Sequence, residues 1–165
     1  MVNYKNRGSY LEKVINISNK QYLERGLALI HKIPTPTRVN PKKRTAAFSE
    51  KSTVDFTGVS LGTFVAFDTK ETKSQHFPFS RLEPHQISYL KQAHEQQGQS
   101  FILILFSQDN ELYRLDIEEY TQLQQTLNRK SIPIKWFRDN KQPIKSKNGV
   151  YYDYLDITDN HKGGV

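Results

Sequence analysis

Apolar and polar residues alternate most regularly in residues 52–73, STVDFTGVSLGTFVAFDTKETK. Side chains of a strand point to its two faces in turn, so this stretch predicts a β-hairpin. A turn centred on Leu61-Gly62 sets Asp55 directly opposite Asp68. Val54, Phe56, Val65 and Phe67 then share an apolar face, and Asp55, Thr57, Ala66, Asp68 and Lys70 share the other, which is expected to be wet. Leu-Gly is a poor two-residue turn beside Asn-Gly, and a longer loop through Gly58 to Gly62 would keep the same register.

Elsewhere the pattern changes period. Leu11, Val14, Ile15, Ser18, Tyr22 and Leu23 follow helical spacing, which predicts a helix over 10–25, with Ser9 and Glu12 as a capping box and Gly26 as its end. Leu27 to Ile33 suits a strand. Residues 34–51 carry three prolines and read as a break in regular structure. Residues 84–97 predict a helix with proline in its first position. Phe101 to Phe106, FILILF, is continuously apolar and predicts a strand buried on both faces. Asp109-Asn110 is a turn into a paired strand at Leu112 to Leu115, and a short helix follows over 117–127. Tyr151 to Ile157 is strand-like, and the tail DNHKGGV reads as flexible. No internal repeat or long linker divides the chain, so 1–165 is expected to form one domain.

Composition narrows the function. Of 165 residues, 24 are Lys or Arg and 17 Asp or Glu, a net charge of +7 that favours a polyanionic partner. There is no cysteine, which excludes disulfides, thiolate zinc sites and cysteine nucleophiles. No apolar run approaches the ~20 residues of a membrane span, and MVNYKNRGSY lacks a signal-peptide core. The expectation is a soluble, cytoplasmic protein. His31, His76, His85, His94 and His161 share no tight ligand spacing, and no GxxxxGK[ST] loop is present. Trp136 reads as packing, Tyr151 and Tyr152 as core or dimer surface, and Lys141, Lys145 and Lys147 as a solvated basic loop.

The hairpin carries the candidate chemistry. Directly opposed Cβ atoms lie about 5 Å apart, close enough for Asp55 and Asp68 to grip one divalent cation. Mg²⁺ prefers oxygen ligands, acidifies water and stabilises charge on a phosphodiester under attack. A lysine on the same face, Lys70, can orient or deprotonate the attacking water. The pattern Asp-x₁₂-Asp-x-Lys is that of PD-(D/E)xK nucleases; alone it is common, and its coincidence with an apolar opposite face strengthens it. Glu12 reads by default as a charge favoured by the helix dipole. The basic segment 34–51 holds Arg38, Lys42, Lys43, Arg44 and Lys51 against Glu50. Its default reading is a solvated loop, with a DNA-gripping protrusion as the rival.

A longer series of motifs resembles the RecU family of bacterial Holliday junction resolvases. It comprises Asn6-Arg7-Gly8, Leu11-Glu12, IHKIPTP at 30–36, KRTAA at 43–47, STVDFTG at 52–58, FDTKETK at 67–73, Phe77-Pro78-Phe79 and His85-Gln86, in the family's order. The resemblance implies a restriction-endonuclease-like α/β fold: a mixed central sheet flanked by helices, with 34–51 as a protruding basic stalk. It implies a homodimer nicking four-way junctions symmetrically with Mg²⁺, for which Mn²⁺ could substitute, in recombination and repair. By position, Asp55 and Asp68 are metal ligands and Lys70 is the catalytic lysine. Glu12 is the acidic residue of the first helix near the metals. Arg7, Lys73, Gln86 and the stalk's Arg38, Lys42, Lys43, Arg44 and Lys51 are DNA contacts. The chain departs from the family in two ways. It reads FDTKET where the family reads FEAKET, and its stalk is short. Alternatives kept open are a junction-binding accessory protein that does not cleave, and a nuclease for other branched DNA.

Overall fold

The computed structural model describes residues 9–34, 37–40, 42, 45–48 and 53–157, with the backbone alone at 9, 37–40 and 45–48. Its centre is a five-stranded sheet in the order β1 (Leu29–Lys32), β4 (Phe56–Ser60), β5 (Thr63–Thr72), β7 (Gln99–Phe106), β8 (Glu111–Asp116). β5 and β7 are parallel and the other neighbours antiparallel, so the sheet is mixed. The parallel pair needs a crossover. It is supplied by α2 (Pro84–Glu95), after a strand β6 (His76–Pro78) and a 3₁₀ turn at Phe79–Arg81.

β7 divides the interior. Its Phe101, Leu103 and Leu105 enter one apolar cluster with Leu11, Ile15 and Tyr22 of α1 (Ser9–Glu24). Its Ile102, Ile104 and Phe106 enter a second cluster with Leu90 of α2, Tyr120 of α3 (Ile117–Thr126) and Phe137 of α4 (Ile134–Asn140). Helices therefore cover both faces, as the continuous apolar run of β7 requires. The mixed sheet flanked by helices expected from the sequence is the one observed. Among the described residues no helix is long and apolar enough to cross a membrane.

Several expectations need correction. Tyr151 to Ile157 is not a strand; only a single bridge, Lys147 to Val150, stands beside it. Three of its backbone donors are taken by α1 instead: Tyr151 N–H by Gln21 Oε1 at 2.7 Å, Tyr152 N–H by Ser18 Oγ at 2.9 Å and Leu155 N–H by the Tyr22 hydroxyl at 3.0 Å. Leu23, placed on the buried stripe of α1, is exposed. Residues 34–51 contain regular structure: β2 (Thr37–Asn40) and β3 (Thr45–Phe48) form an antiparallel ribbon of their own. Its prolines fall outside the paired residues, where they remove no ladder donor. The segment around Pro78 pairs as β6 with β9 (Ser131–Pro133), and α4 follows directly. Ser9 begins α1, and its side chain, on which the capping box rests, lies outside the described residues.

Candidate active site

The β4–β5 hairpin has the predicted register: Phe56 lies opposite Phe67, and Ser60 opposite Thr63. Leu61 and Gly62 both take positive φ, 48° and 85°, the signature of the two-residue turn whose twist suits a hairpin. Gly58 is fixed by a neighbour: a Cβ there would lie 2.0 Å from the Leu29 carbonyl oxygen of β1.

The ladder ends at Phe56, and the chain bends at Asp55. Val54 consequently leaves the face of Phe56 and packs in the opposite cluster with Ala66. The face expected to be wet is not: Ala66 and Asp68 are fully buried. Where backbone pairing stops, the two carboxylates replace it. Asp55 N–H donates to Asp68 Oδ1 at 3.1 Å, and Thr69 N–H donates to Asp55 Oδ2 at 2.9 Å. Each aspartate thus caps a backbone donor of the other's strand, which holds the strand ends together around two like charges.

The remaining contacts define what each oxygen can do. The Thr69 hydroxyl adds a second hydrogen bond to Asp55 Oδ2, at 2.7 Å. Gln86 Nε2 donates to Asp68 Oδ1 at 3.2 Å. Asp68 Oδ2 has no partner in hydrogen-bonding geometry, although Lys70 Nζ stands 2.7 Å away as an ion pair. Lys70 also reaches Gln86 Oε1 at 3.4 Å. Burial pushes the Asp68 carboxyl up to about 7, and the Asp55 charge adds to the rise against the opposing pull of Lys70.

The mouth is a cleft of about 480 Å³ lined by Glu12, Asp55, Thr69, Lys70, Glu71, Thr72, Lys73 and Arg81. Asp68 lies behind that lining. Glu12, expected near the metals, faces the cleft from α1, but its Oε2 is 2.9 Å from Lys32 Nζ. Among the described residues no three His, Cys, Asp or Glu side chains gather to hold a metal. The two aspartates still fit a hard divalent cation: both offer oxygen, and the buried Oδ2 of Asp68 is already met by a cation, the Lys70 ammonium, without hydrogen-bond geometry. Mg²⁺ is commonly held by one or two carboxylates with water and substrate phosphate completing the shell.

Gln86, expected to contact DNA, turns its amide onto Asp68 and Lys70 while also accepting from Glu83 N–H at 3.1 Å in the capping box of α2. Lys73 is exposed at the cleft. Lys42 is exposed between β2 and β3, and Arg38 lies on β2, where the backbone alone is described. Arg7, Lys43, Arg44 and Lys51 lie outside the described residues. Four cleft residues escaped the sequence reading: Thr69, Glu71, Thr72 and Arg81. Arg81 donates to the Glu71 carbonyl at 3.0 Å. Glu71 has a buried oxygen without a hydrogen bond, and desolvation raises its carboxyl above the usual range. Thr69, adjacent to both Asp68 and Lys70, had no signal beyond its place in the motif.

Comparison with known proteins identifies the family. Relatives from Streptococcus pneumoniae strains Hungary19A-6 and CGSP14, both named Holliday junction resolvase RecU, are 36% identical over 170 residues. The match spans 96% of this chain and 86% of each relative. A solved structure of Hjc from Archaeoglobus fulgidus, a Holliday junction resolvase from an archaeal hyperthermophile, covers 64% of this chain and 74% of its own. Its TM-score is 0.39 at 10% identity, a likeness too distant to bear on the site. The family model for RecU, recombination protein U, matches residues 6–160, and the chain belongs to that family.

Proposed function

We propose that this protein is a metal-dependent endonuclease that resolves four-way DNA junctions. The observation that carries the reading is the convergence of Asp55, Asp68 and Lys70 where the β4–β5 ladder opens into the cleft. Its membership of the RecU family and the names of its relatives point the same way.

Asp55 and Asp68 would hold Mg²⁺, which supplies a more acidic water and neutralises charge on the scissile phosphate. Gln86 fixes Asp68 through Oδ1 and steadies the Lys70 ammonium. Lys70 holds positive charge at the cleft, where it can orient the attacking water or counter the charge that develops on phosphate oxygen. Lys73 and Arg81 extend the positive lining along which a DNA backbone can run. The β2–β3 ribbon, with Arg38, Lys42, Lys43 and Arg44, would enter the junction, and Arg7 and Lys51 would add phosphate contacts.

The active species would be a homodimer, since symmetric nicking needs two sites. A stripe of exposed apolar residues supports this. Leu29 pairs with Val59 and Val59 with Phe64, so the three share one sheet face, and each is 40% exposed.

The test is nicking of an end-labelled four-way junction by purified protein with Mg²⁺. Symmetric cuts are expected, and Asp55→Ala should abolish them while the protein still binds the junction. An intact junction under Mg²⁺ and Mn²⁺ would exclude the reading. A second reading, a junction-binding protein that does not cleave, is favoured by the complete burial of the short Asp68. It predicts salt-sensitive binding of junctions without turnover.

A further inference from the structure

Each aspartate of the site has one oxygen held by hydrogen bonds, and on Asp68 the other, Oδ2, is met by Lys70 Nζ at 2.7 Å as an ion pair. Asp68 Oδ1 accepts from Asp55 N–H and Gln86 Nε2. Asp55 Oδ2 accepts twice from a single residue, through Thr69 N–H at 2.9 Å and the Thr69 hydroxyl at 2.7 Å. A carboxylate oxygen has two lone pairs. Thr69 uses both of those on Oδ2, and Oδ1 is the oxygen through which Asp55 can take a ligand.

The two Thr69 contacts differ in what they require. Any non-proline residue at 69 supplies the N–H; the hydroxyl needs Thr or Ser. It also comes from a stiff position: a β-branched side chain has restricted χ1, which suits a strand and keeps the hydroxyl in place. Asp55 needs such a hold. It sits on a bend beyond the end of β4, half-buried, where pairing to β5 has stopped and its carbonyl accepts Ile33 N–H at 2.7 Å.

We infer that Thr69 is a positioning residue for Asp55. Its hydroxyl pins Oδ2 and so presents Oδ1, as a single oxygen, to the divalent cation. This rests on the metal-dependent reading above and adds to it a residue that acts through Asp55. It also fits the local peculiarity of this chain. Asp68 is one methylene shorter than glutamate and is drawn back behind the cleft lining, so more of the positioning falls on Asp55.

Three variants test it: Thr69→Val, which keeps the shape and loses the hydroxyl; Thr69→Ser, which keeps the hydroxyl; and Thr69→Ala. Calorimetric titration of the DNA-free protein with Mg²⁺ and Mn²⁺ reads the effect directly. Thr69→Val and Thr69→Ala should bind about tenfold more weakly, the scale of one hydrogen bond to a charged group, and Thr69→Ser within about twofold of wild type. In junction cleavage the Mg²⁺ concentration for half-maximal rate should rise by the same factor in Thr69→Val. Junction affinity without metal should stay unchanged. Wild-type metal affinity in Thr69→Val would overturn the inference, and so would a Thr69→Ser protein as weak as Thr69→Val, since that would make the effect one of packing. If Thr69→Val does not fold, Thr69→Ala against Thr69→Ser makes the same comparison. A wild-type protein that cuts junctions, with variants indistinguishable from it, removes this inference alone. A wild-type protein that takes up no divalent cation removes the endonuclease reading with it.

Discussion

Among the described residues two aspartates are buried, and their surroundings are opposite in kind. Asp153 is 7% exposed and Asp68 0% exposed, and each has an Oδ2 with no hydrogen bond. Asp153 accepts from a neutral donor, the Tyr22 hydroxyl, at 2.6 Å. That hydroxyl in turn accepts Leu155 N–H at 3.0 Å, so the carboxylate ends a chain of bonds that fastens the C-terminal segment to α1. Burial and the bond to Asp153 push the Tyr22 phenol well above its usual range, so it stays protonated and remains a donor. Asp68 faces a second carboxylate, and Lys70 answers only part of the charge. Asp153 does structural work with the groups the fold provides. Asp68 is left in need of positive charge, the condition of a group arranged for a ligand rather than for stability.

Three measurements would break or sharpen that contrast. The largest effect is expected from Asp68→Asn. Loss of one of two metal ligands should lower single-turnover junction cleavage by about a thousandfold or more, with junction binding retained. A variant that still cuts well would put Asp68 on the structural side with Asp153.

The next is a pH effect on the metal-free protein. The Asp68 carboxyl is raised in the folded state from 3.8 to about 7. A group that binds its proton more tightly when folded contributes its full stability below the unfolded value and loses it as pH rises through the folded one. Wild type should therefore lose on the order of a few kcal/mol relative to Asp68→Asn between about pH 4 and 8. Mg²⁺ should return much of that loss, since a cation stabilises the ionised pair. Parallel pH curves for the two proteins, from denaturant unfolding, would sink the idea.

The smallest effect belongs to the other aspartate. Tyr22→Phe leaves Asp153 and Leu155 N–H without their partner and should destabilise the protein by about 1–3 kcal/mol, seen as a Tm lower by several degrees. The cleavage rate per folded molecule should not change. A fall in cleavage without a fall in Tm would show that the C-terminal latch and the site are not independent.

Local pattern was enough for much of this molecule. Alternation set the hairpin register, because a one-residue slip would have turned Phe56 and Phe67 out of the core. The same register brought Asp55 opposite Asp68. The run FILILF identified an interior strand, since only a strand covered on both faces has no polar side. The helices over 84–97 and 117–127 were legible from proline placement and spacing, and are observed at Pro84–Glu95 and Ile117–Thr126.

Other features depend on contacts distant in the chain, and there the local pattern misled or was silent. Tyr151 to Ile157 has the composition of a strand, but three of its donors meet Ser18, Gln21 and Tyr22, more than a hundred residues earlier. No local pattern records such a partner. The polar face of the hairpin looked wet because polarity in a strand ordinarily marks solvent. Gln86 took a place against Asp68 because α2 begins beside the open end of the hairpin. What the sequence determined by itself was which acids and which lysine share one face. Tertiary structure alone decided that Asp68 lies buried behind Lys70 and Gln86 while Asp55 faces the cleft. Burial, and with it the carboxyl's rise to about 7, is a property of everything packed around the group rather than of its neighbours in the chain.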